Sequence, residues 1–415
     1  MSLRIEDLIE PRLTDQQQSL LDWASANPVS LDEKLLVDEA VDDTGLDDFG
    51  PDDFWPRFRG QVAAIEADTG QTEFSRRIQH SRFVRLLSCR LLFTDLVRRY
   101  PEIHDVEIEA PLVVVGMPRS GTTHLVNLLA ADTRFRSLPF WEIEEPFPRR
   151  GDGPGRDGVD PRYQRAVERY ESGRGVFPLS GAMHERTPWS IEEEVELQDI
   201  DFSSYALEWH ARVPDWRDYY FGIDQVQSYG YLKLLLKALT FFRGPNRWVL
   251  KSPQHLEQLH ALKANFPDAT IAMTHRDPVA VAQSAMTMMA YSDRVRRYSI
   301  EPDTLSAYWV DRVERLLRAC VRDRSVFGPD HSIDVPFHEF MADDVGMVER
   351  IYERAGIEMT ETARGQLDAY MVAHPRGGEH GQLVYDLRGD FGLDPAEVRK
   401  RFDFYFERFP VVAEV

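Results

Sequence analysis

The sequence predicts an α/β protein in which a parallel sheet is flanked by helices and preceded by a helical N-terminal region. From residue 111 onward, short apolar, β-branched runs alternate with longer stretches of helical periodicity, which is typical of strands buried between helices. By contrast, residues 1–108 are acidic and have a helical pattern, with apolar residues at helical spacing over residues 73–100. We therefore expect residues 1–108 to form a helical region packed on the core, and residues 109–415 to form the α/β domain.

Four segments predict the strands of the sheet. Residues 111–115 (PLVVV) are a short apolar run of the kind found in buried parallel strands. Residues 247–251, 269–274 and 331–335 are the other candidates. The segments with helical patterns are 122–132, 224–243, 253–266, 277–290, 303–327 and 343–355. Because ligands of such sheets bind at the carboxyl ends of the strands, the residues that follow each strand are the candidates for a site.

Length, charge and cysteine content limit the class of protein. A chain of 415 residues can hold one large α/β domain with insertions, or two domains. The net charge of −21 argues against a general nucleic-acid binder. No segment approaches the roughly 20 apolar residues of a membrane span, and the charged N-terminus does not resemble a secretory signal, so we expect a cytoplasmic protein. Cys89 and Cys320 lack metal-ligand spacing and are interpreted as buried core thiols.

The most informative motif follows the first predicted strand. Residues 116–123 read GMPRSGTT, with the two glycines spaced as in the nucleotide-phosphate loop G-x-x-x-x-G-K-[ST]. Thr122 replaces the Lys of that consensus, and Arg119 is the only cation of the loop. A strand, a glycine-bearing turn and a helix direct free backbone N–H groups and the positive end of the helix toward an anion. The sequence therefore predicts a P-loop-like anion site without the Lys that contacts the β- and γ-phosphates of ATP.

Cations also follow the next two predicted strands. Lys251 ends the strand at residues 247–251, and His255 comes shortly after it. The strand at residues 269–274 leads directly into further basic residues. Since parallel strands end at one edge of a sheet, these side chains are expected to lie near each other. The residues predicted at this edge are Arg119, Lys251, His255, His275 and Arg276.

In these residues the sequence resembles the sulfotransferases that use 3′-phosphoadenosine 5′-phosphosulfate (PAPS). In that family a P-K/R-S-G-T-T loop after the first strand binds the 5′-phosphosulfate, and an Arg followed eight residues later by a Ser binds the 3′-phosphate. The resemblance covers residues 111–290 and is weak beyond them; Arg in place of Lys in the loop is similar to the Golgi and bacterial branches. The resemblance implies that PAPS is bound by Pro118, Arg119, Ser120, Gly121, Thr122, Thr123, Arg276 and Ser284.

The same resemblance implies transfer of a sulfuryl group, without a metal ion, to a hydroxyl of a small molecule or lipid. Arg119 and Lys251, together with loop N–H groups, can stabilise charge on the leaving phosphate. The acceptor hydroxyl needs a positioned base, and two candidates remain open. His255 is one, because cytosolic members place a His shortly after this Lys. Glu142 is the other and is slightly favoured, because Arg-loop branches place a Glu some way after the loop.

Three further segments are weaker candidates for ligand contacts. The acidic run at residues 191–196 (IEEEVE) reads first as a solvated helix face, although it could line an acceptor site. The aromatic-rich residues 202–221 could wall an apolar acceptor pocket, but core packing explains them equally well. The basic, Gly-rich loop that holds the 3′-phosphate in cytosolic members has only a loose counterpart in residues 375–378 (PRGG).

Two other functions are compatible with the same fold. A P-loop kinase or NTPase would need the missing loop Lys and an Asp after a strand to hold Mg²⁺; Asp277 and Asp334 are available. A non-catalytic nucleotide-binding protein would bind the nucleotide without turnover. The acceptor and the oligomeric state are not readable from the sequence.

Overall fold

The computed structural model describes residues 2–153, 158–184, 186–375 and 382–415. Its strands are β1 (Ser2–Leu3), β2 (Leu112–Gly116), β3 (Val249–Lys251), β4 (Thr270–His275), β5 (Ser332–Pro336) and β6 (Gln382–Leu383). Its α-helices are α1 (Asp15–Ala26), α2 (Glu33–Thr44), α3 (Trp55–Ala67), α4 (Glu73–Arg99), α5 (Thr122–Ala130), α6 (Phe140–Glu144), α7 (Pro161–Gly173), α8 (Ser180–His184), α9 (Val195–Gln198), α10 (Pro214–Gly222), α11 (Val226–Phe242), α12 (Leu259–Asn265), α13 (Pro278–Arg296), α14 (Pro302–Asp323), α15 (Phe337–Ala342), α16 (Asp344–Arg354), α17 (Glu361–Ala373), α18 (Leu387–Phe391), α19 (Pro395–Lys400) and α20 (Asp403–Phe406).

The central sheet is parallel, with strand order β3-β2-β4-β5. Leu112 of β2 pairs with Val249 on one side and with Thr270 on the other. Every residue of β2, β3 and β4 is buried, which explains why these strands read as continuous apolar runs without alternation. The predicted parallel α/β fold is confirmed, and the carboxyl ends of β2, β3 and β4 lie at one edge of the sheet.

The predicted helix at residues 253–266 differs from the observed structure. A 3₁₀ helix at Pro253–Glu257 is followed by the short helix α12. The Ser252 hydroxyl caps the turn by accepting a hydrogen bond from the Gln254 amide at 3.2 Å. The Gln254 side chain is itself held by the amide of Tyr205 at 2.9 Å. Because these contacts involve residues distant in the sequence, the local helical pattern did not predict that the helix would be interrupted by a 3₁₀ turn.

The N-terminal helices share one hydrophobic core with the sheet. Phe83 and Leu87 of α4 are fully buried in the same apolar cluster as Val113 of β2. Two buried ion pairs fasten α4 to the turn at residues 199–201, Arg82 with Asp199 at 2.7 Å and Arg90 with Asp201 at 3.0 Å. The strand β1 also pairs in parallel with β6. The division of the chain near residue 108 stays a prediction.

The cysteine side chains belong to the packed interior. Cys89 and Cys320 are free thiols and both are buried, as the sequence indicated. Burial raises the pKa of Cys89 to about 11 and that of Cys320 to about 12, so both remain protonated at neutral pH. Among the described helices, none combines the length and the apolar character that a membrane crossing requires.

Candidate active site

The loop between β2 and α5 has a constrained backbone. Arg119 has a φ of 69° and Gly121 a φ of 87°, and the left-handed region is unfavourable for a residue with a side chain. The hydroxyl of Ser120 donates to the carbonyl of Met117 at 2.6 Å and lies 2.6 Å from the hydroxyl of Thr274. Because Thr274 belongs to β4, this contact fixes the loop to the end of the neighbouring strand.

Several backbone amides of this loop have no partner. Within the described part of the chain, no acceptor bonds to the backbone N–H groups of Arg119, Gly121, Thr122 or Thr123. The helix α5 begins at Thr122 without a side-chain cap, so its first amides and its positive end are open. Unpaired amides that converge at a helix N-terminus form an anion-binding cradle. The loop therefore has the donor set that the sequence predicted.

The structure brings the loop together with the end of β4 and the start of α13. Arg119 Nε donates to the hydroxyl of Ser284 at 3.0 Å. Arg276 Nη1 donates to the backbone carbonyl of Arg119 at 2.6 Å. The hydroxyl of Ser284 donates in turn to the hydroxyl of Tyr385 at 3.0 Å. The Arg276 guanidinium thus contacts the cradle, and the two segments that carry the family resemblance are in direct contact.

A carboxylate close to the C-terminus covers the outer side of Arg276. Arg276 Nη2 lies 2.6 Å and Nε lies 2.8 Å from the carboxylate of Glu414. The amide of Glu414 donates to Asp277 at 2.7 Å, which holds this segment in place. The guanidinium also stacks 4.1 Å from the centre of the Phe337 ring. In this structure, Glu414 neutralises the charge of Arg276.

Lys251, at the end of β3, connects the loop to the acidic run at residues 191–196. Its side chain is fully buried, and Nζ lies 2.5 Å from Glu193 Oε1. Nζ also donates to the hydroxyl of Thr123 at 3.5 Å. The backbone amide of Lys251 donates to Glu194 at 2.7 Å. The ammonium group is therefore placed between the anion cradle and a carboxylate that sequence reasoning did not single out.

Glu142, the first candidate base, lies in α6, and the residue before this helix, Pro139, pairs with Ile191 of the acidic run. Its carboxylate is 5% exposed and is bound by Arg136 at 2.6 Å and by Arg243 at 3.0 Å. It lines a second cavity beside Arg162 and Phe242, not the cavity that Arg119 lines. The Glu142 carboxylate is thus paired with two guanidinium groups, and the structure does not bring it to Arg119.

His255, the second candidate base, is fully buried. Its Nε2 lies 2.6 Å from Glu194, and its Nδ1 lies 2.7 Å from the hydroxyl of Tyr229. Both ring nitrogens are therefore used within the protein, and His255 does not line the cavity of Arg119. His275 is similarly enclosed, since it is hydrogen-bonded to Tyr405 and lies 2.8 Å from Asp334.

A cavity of about 270 Å³ opens beside the loop. Arg119 and Thr123 line one part of it, and residues from the segments 177–186, 192–196, 205–210 and 288–296 line other parts. The acidic run thus faces this cavity and is not only a solvated helix face. The aromatic-rich residues 202–221 contribute both to the cavity wall and to the core. Tyr205 and Trp209 line the cavity, whereas Trp216 and Tyr220 are packed in the core.

Among the carboxyl and imidazole groups that line the cavity, Glu192 and His210 have clearly perturbed pKa values. Burial alone would raise the pKa of Glu192, but the charges of His184 and Arg186 lower it to about 2, so this carboxylate is ionised and already paired. Burial lowers the pKa of His210 well below its usual value, and the charge of Arg296 lowers it further. His210 is therefore neutral at pH 7.

The two acids that a kinase would use for Mg²⁺ have other partners. Asp277 caps α13 by accepting from the amide of Val279 at 2.9 Å. Asp334 lies beside His275 and accepts from Arg324 at 2.7 Å. In the described residues, no cluster of three or more His, Cys, Asp or Glu side chains is arranged to hold a metal ion. The loose Gly-rich counterpart at residues 376–378 lies outside the described residues.

The cradle, the contacts of Arg276 and Ser284 with Arg119, and the parallel sheet are accompanied by a match to a known family. The model of the sulfotransferase family matches residues 111–361, more than half of the chain, and the chain belongs to that family. This confirms the sulfotransferase class that the motifs predicted.

Three of the similar proteins are mycobacterial. Sulfotransferase STF1 from Mycobacterium tuberculosis is 27% identical, with a TM-score of 0.79 over 89% of this chain and 98% of that one. Sulfotransferase STF9 from Mycobacterium avium shares the fold with a TM-score of 0.82, at 23% identity over 93% of this chain and 98% of its own. The omega-hydroxy-beta-dihydromenaquinone-9 sulfotransferase Stf3 of Mycobacterium bovis is 22% identical over 296 residues, which are 69% of this chain and 73% of Stf3.

Proposed function

We propose that this sulfotransferase moves the sulfuryl group of PAPS to a hydroxyl of a small molecule or lipid, without a metal ion. One observation carries the proposal. The open amides of the loop and the Arg276–Ser284 pair meet at Arg119, through contacts of 2.6 and 3.0 Å. This donor set suits a nucleotide that carries anionic groups at two positions.

The residues of the chain divide into two groups by role. The loop residues that hold the sulfated end are Pro118, Arg119, Ser120, Gly121, Thr122 and Thr123. Arg276 and Ser284 bind the 3′-phosphate. When bound, PAPS supplies the activated sulfuryl group. Arg119 and Lys251 stabilise the charge that develops on the departing phosphate, as preorganised cations do in a site with little water.

Glu193 is the base that the geometry favours. It lines the cavity with Arg119, its side chain is 20% exposed, and it lies 2.5 Å from Lys251 Nζ. As the new bond from the acceptor oxygen to sulfur forms and the bond from sulfur to the leaving phosphate breaks, the hydroxyl proton passes to Glu193. We propose structural roles for Glu142 and His255, since buried hydrogen bonds engage both.

The lining of the cavity favours a hydrophobic acceptor. Tyr205, Trp209, Met288 and Met289 all face it, and methionine side chains adapt to apolar ligands of different shapes. The name of the relative Stf3, which refers to a hydroxylated menaquinone derivative, supports a lipid hydroxyl as the acceptor. The cytoplasmic location stays a prediction.

The proposal is tested by comparing two nucleotides in thermal denaturation. Adenosine 3′,5′-bisphosphate should raise Tm more than ATP·Mg²⁺ at equal concentration. At 100 times Kd, a ligand of the native state adds about 2.7 kcal/mol to the free energy of unfolding. A larger shift with ATP·Mg²⁺ would instead support a kinase or NTPase. Stabilisation by the bisphosphate with no sulfate transfer to any acceptor tested would support a binding protein.

Removal of the second anion site should weaken the binding only of nucleotides that carry a 3′-phosphate. We expect Arg276→Ala, and to a smaller extent Ser284→Ala, to reduce the affinity for adenosine 3′,5′-bisphosphate by about tenfold or more, because hydrogen bonds to charged groups contribute about 1.5–3 kcal/mol. Calorimetry with adenosine 5′-phosphosulfate is the control, and its affinity should change little. Equal losses for both nucleotides would remove Arg276 from this role.

Glu414 should compete with the 3′-phosphate for Arg276. We expect Glu414→Gln to raise the affinity for adenosine 3′,5′-bisphosphate by up to about fivefold, since partly exposed ion pairs contribute up to about 1 kcal/mol. Glu407→Gln is the matched control, because it removes the same charge from an exposed position nearby in the sequence. Weaker binding in Glu414→Gln would mean that this carboxylate supports the phosphate site.

A further inference from the structure

The cavity follows α13 away from the loop. Ser284, which accepts from Arg119, lies in the first half of this helix, and Arg296 is its last residue. The 12 positions between them correspond to about 18 Å of helix at 1.5 Å per residue. Both Arg119 and Arg296 line the cavity. The cavity therefore follows α13 from the loop to the last residue of this helix.

The side of the cavity that α13 forms between these two ends is largely apolar, whereas His184, Arg186 and the acidic run line another side. Met288 and Met289 lie on α13 between Ser284 and Arg296 and face the cavity. Phe177 packs beside the far end, with its ring centre 6.4 Å from that of Tyr291. Such a wall binds an extended hydrocarbon segment through burial of apolar surface.

The far end, by contrast, is polar and incompletely satisfied. Arg296 Nη1 donates to the carbonyl of Trp209 at 3.1 Å, but its buried Nε has no hydrogen-bond partner. The buried Nδ1 of the adjacent His210 also has no partner. Among the described residues, no carboxylate lies within 4.0 Å of the Arg296 guanidinium. A buried group without a partner is costly, at about 1–3 kcal/mol, and such groups are rare in native proteins.

These groups together identify the chemistry that would satisfy them. Arg296 is a permanent cation with donors only, and a neutral His210 can donate from one ring nitrogen. Asp293 acts on Arg296 through its charge, but this carboxylate lies 3.8 Å from Arg212 and is shared among Arg212, Arg296 and Arg297. A water molecule could complete the hydrogen bonds, but it could not balance the positive charge that remains. A carboxylate does both, because it accepts charge-assisted hydrogen bonds from Arg and from a second donor.

We propose that the acceptor is a long amphiphile with a hydroxyl at one end and a carboxylate at the other, and that Arg296 and His210 bind the carboxylate. This inference rests on the proposed function, because the hydroxyl must reach Arg119 and Glu193 while the carboxylate is held by Arg296 at the other end of the cavity. Arg296 is then a residue that selects the acceptor and does not take part in the chemical step.

The test uses three probes that differ only at the far end. They are ω-hydroxypalmitate, its methyl ester and cetyl alcohol, each assayed for sulfation with PAPS and for binding by calorimetry in the presence of adenosine 3′,5′-bisphosphate. We expect kcat/KM for ω-hydroxypalmitate to exceed that for cetyl alcohol by about tenfold to a hundredfold. The ester should resemble the alcohol, and the shorter ω-hydroxyoctanoate should lose the advantage because it cannot reach both ends.

Variants at Arg296 connect this selectivity to the cavity. Arg296→Gln should abolish the preference for the acid, and Arg296→Lys should retain part of it. Arg297→Gln is the matched control, because Arg297 pairs with Asp68 at 2.6 Å and does not line the cavity. It should lower Tm without altering the preference, which separates selection from structural damage.

Each outcome bears on one of the two proposals. Equal kcat/KM for the acid and the alcohol, or an ester that matches the acid, would overturn the inference while leaving the sulfotransferase function intact. Failure of all the probes to bind would also overturn it. Binding of the acid that depends on Arg296, with no sulfation of any probe, would support the carboxylate site and count against the proposed reaction.

Discussion

Replacement of Arg119 with alanine is expected to lower kcat by about 10²–10³ while nucleotide affinity changes far less. A preorganised donor directed at developing charge contributes a factor of this size. The guanidinium of Arg119 lines the cavity, and its backbone N–H is one of the open amides of the cradle. The substitution removes the side-chain charge but leaves every backbone donor in place, so ground-state binding should largely survive. Single-turnover kinetics and calorimetry would measure the two effects separately.

Two further variants show which property of Arg119 matters. Arg119→Lys keeps the charge but loses the planar fork that can contact two oxygens, and it should recover only part of the rate. Ser284→Ala removes the partner that Arg119 Nε contacts at 3.0 Å and should affect turnover less than Arg119→Ala does. Because residue 119 has a φ of 69°, Tm of each variant must also be compared with that of the native protein. Unchanged turnover in a folded Arg119→Ala protein would refute the role.

The parts of the site that the sequence predicted are those that depend on local pattern. The strand β2, the glycine-bearing loop and α5 follow one another within residues 112–130, so apolar periodicity and glycine spacing were sufficient to identify them. Arg276 and Ser284 were identified through the spacing that the family resemblance implies; Arg276 lies just before α13 and Ser284 lies within it. Their approach to Arg119 required only that parallel strands end at a common edge.

The candidate base could not be predicted in this way, because it depends on contacts between distant segments. Glu142 is paired with Arg243, and His255 is paired with Glu194. In both pairs the partner is remote in the sequence. Within the acidic run, Glu192 pairs with His184, Glu194 with His255, and Glu193 with Lys251. Three consecutive identical residues give no sign of which one contacts Lys251.

Replacement of Glu193 with glutamine should lower kcat by about 10²–10⁴, the usual contribution of a positioned general base. Glutamine keeps the shape of the side chain and can still accept a hydrogen bond from Lys251, but it cannot take up the proton of the acceptor hydroxyl. Affinity for adenosine 3′,5′-bisphosphate should change little, since Glu193 does not belong to the nucleotide-binding set. The measurement is single-turnover sulfation of a saturating acceptor.

Two matched variants decide among the carboxylates. Glu196→Gln alters another acid of the same cavity, one that is paired with Arg186, and its effect on kcat should be much smaller. Glu142→Gln alters the acid that the family resemblance slightly favoured as the base. Because Glu142 is clamped by two guanidinium groups, its replacement should lower Tm and leave the chemical step largely intact. A large loss of kcat in Glu142→Gln, with Glu193→Gln nearly as active as the native protein, would restore Glu142 as the base. It would also require the segment around Glu142 to move toward Arg119 when the substrates bind.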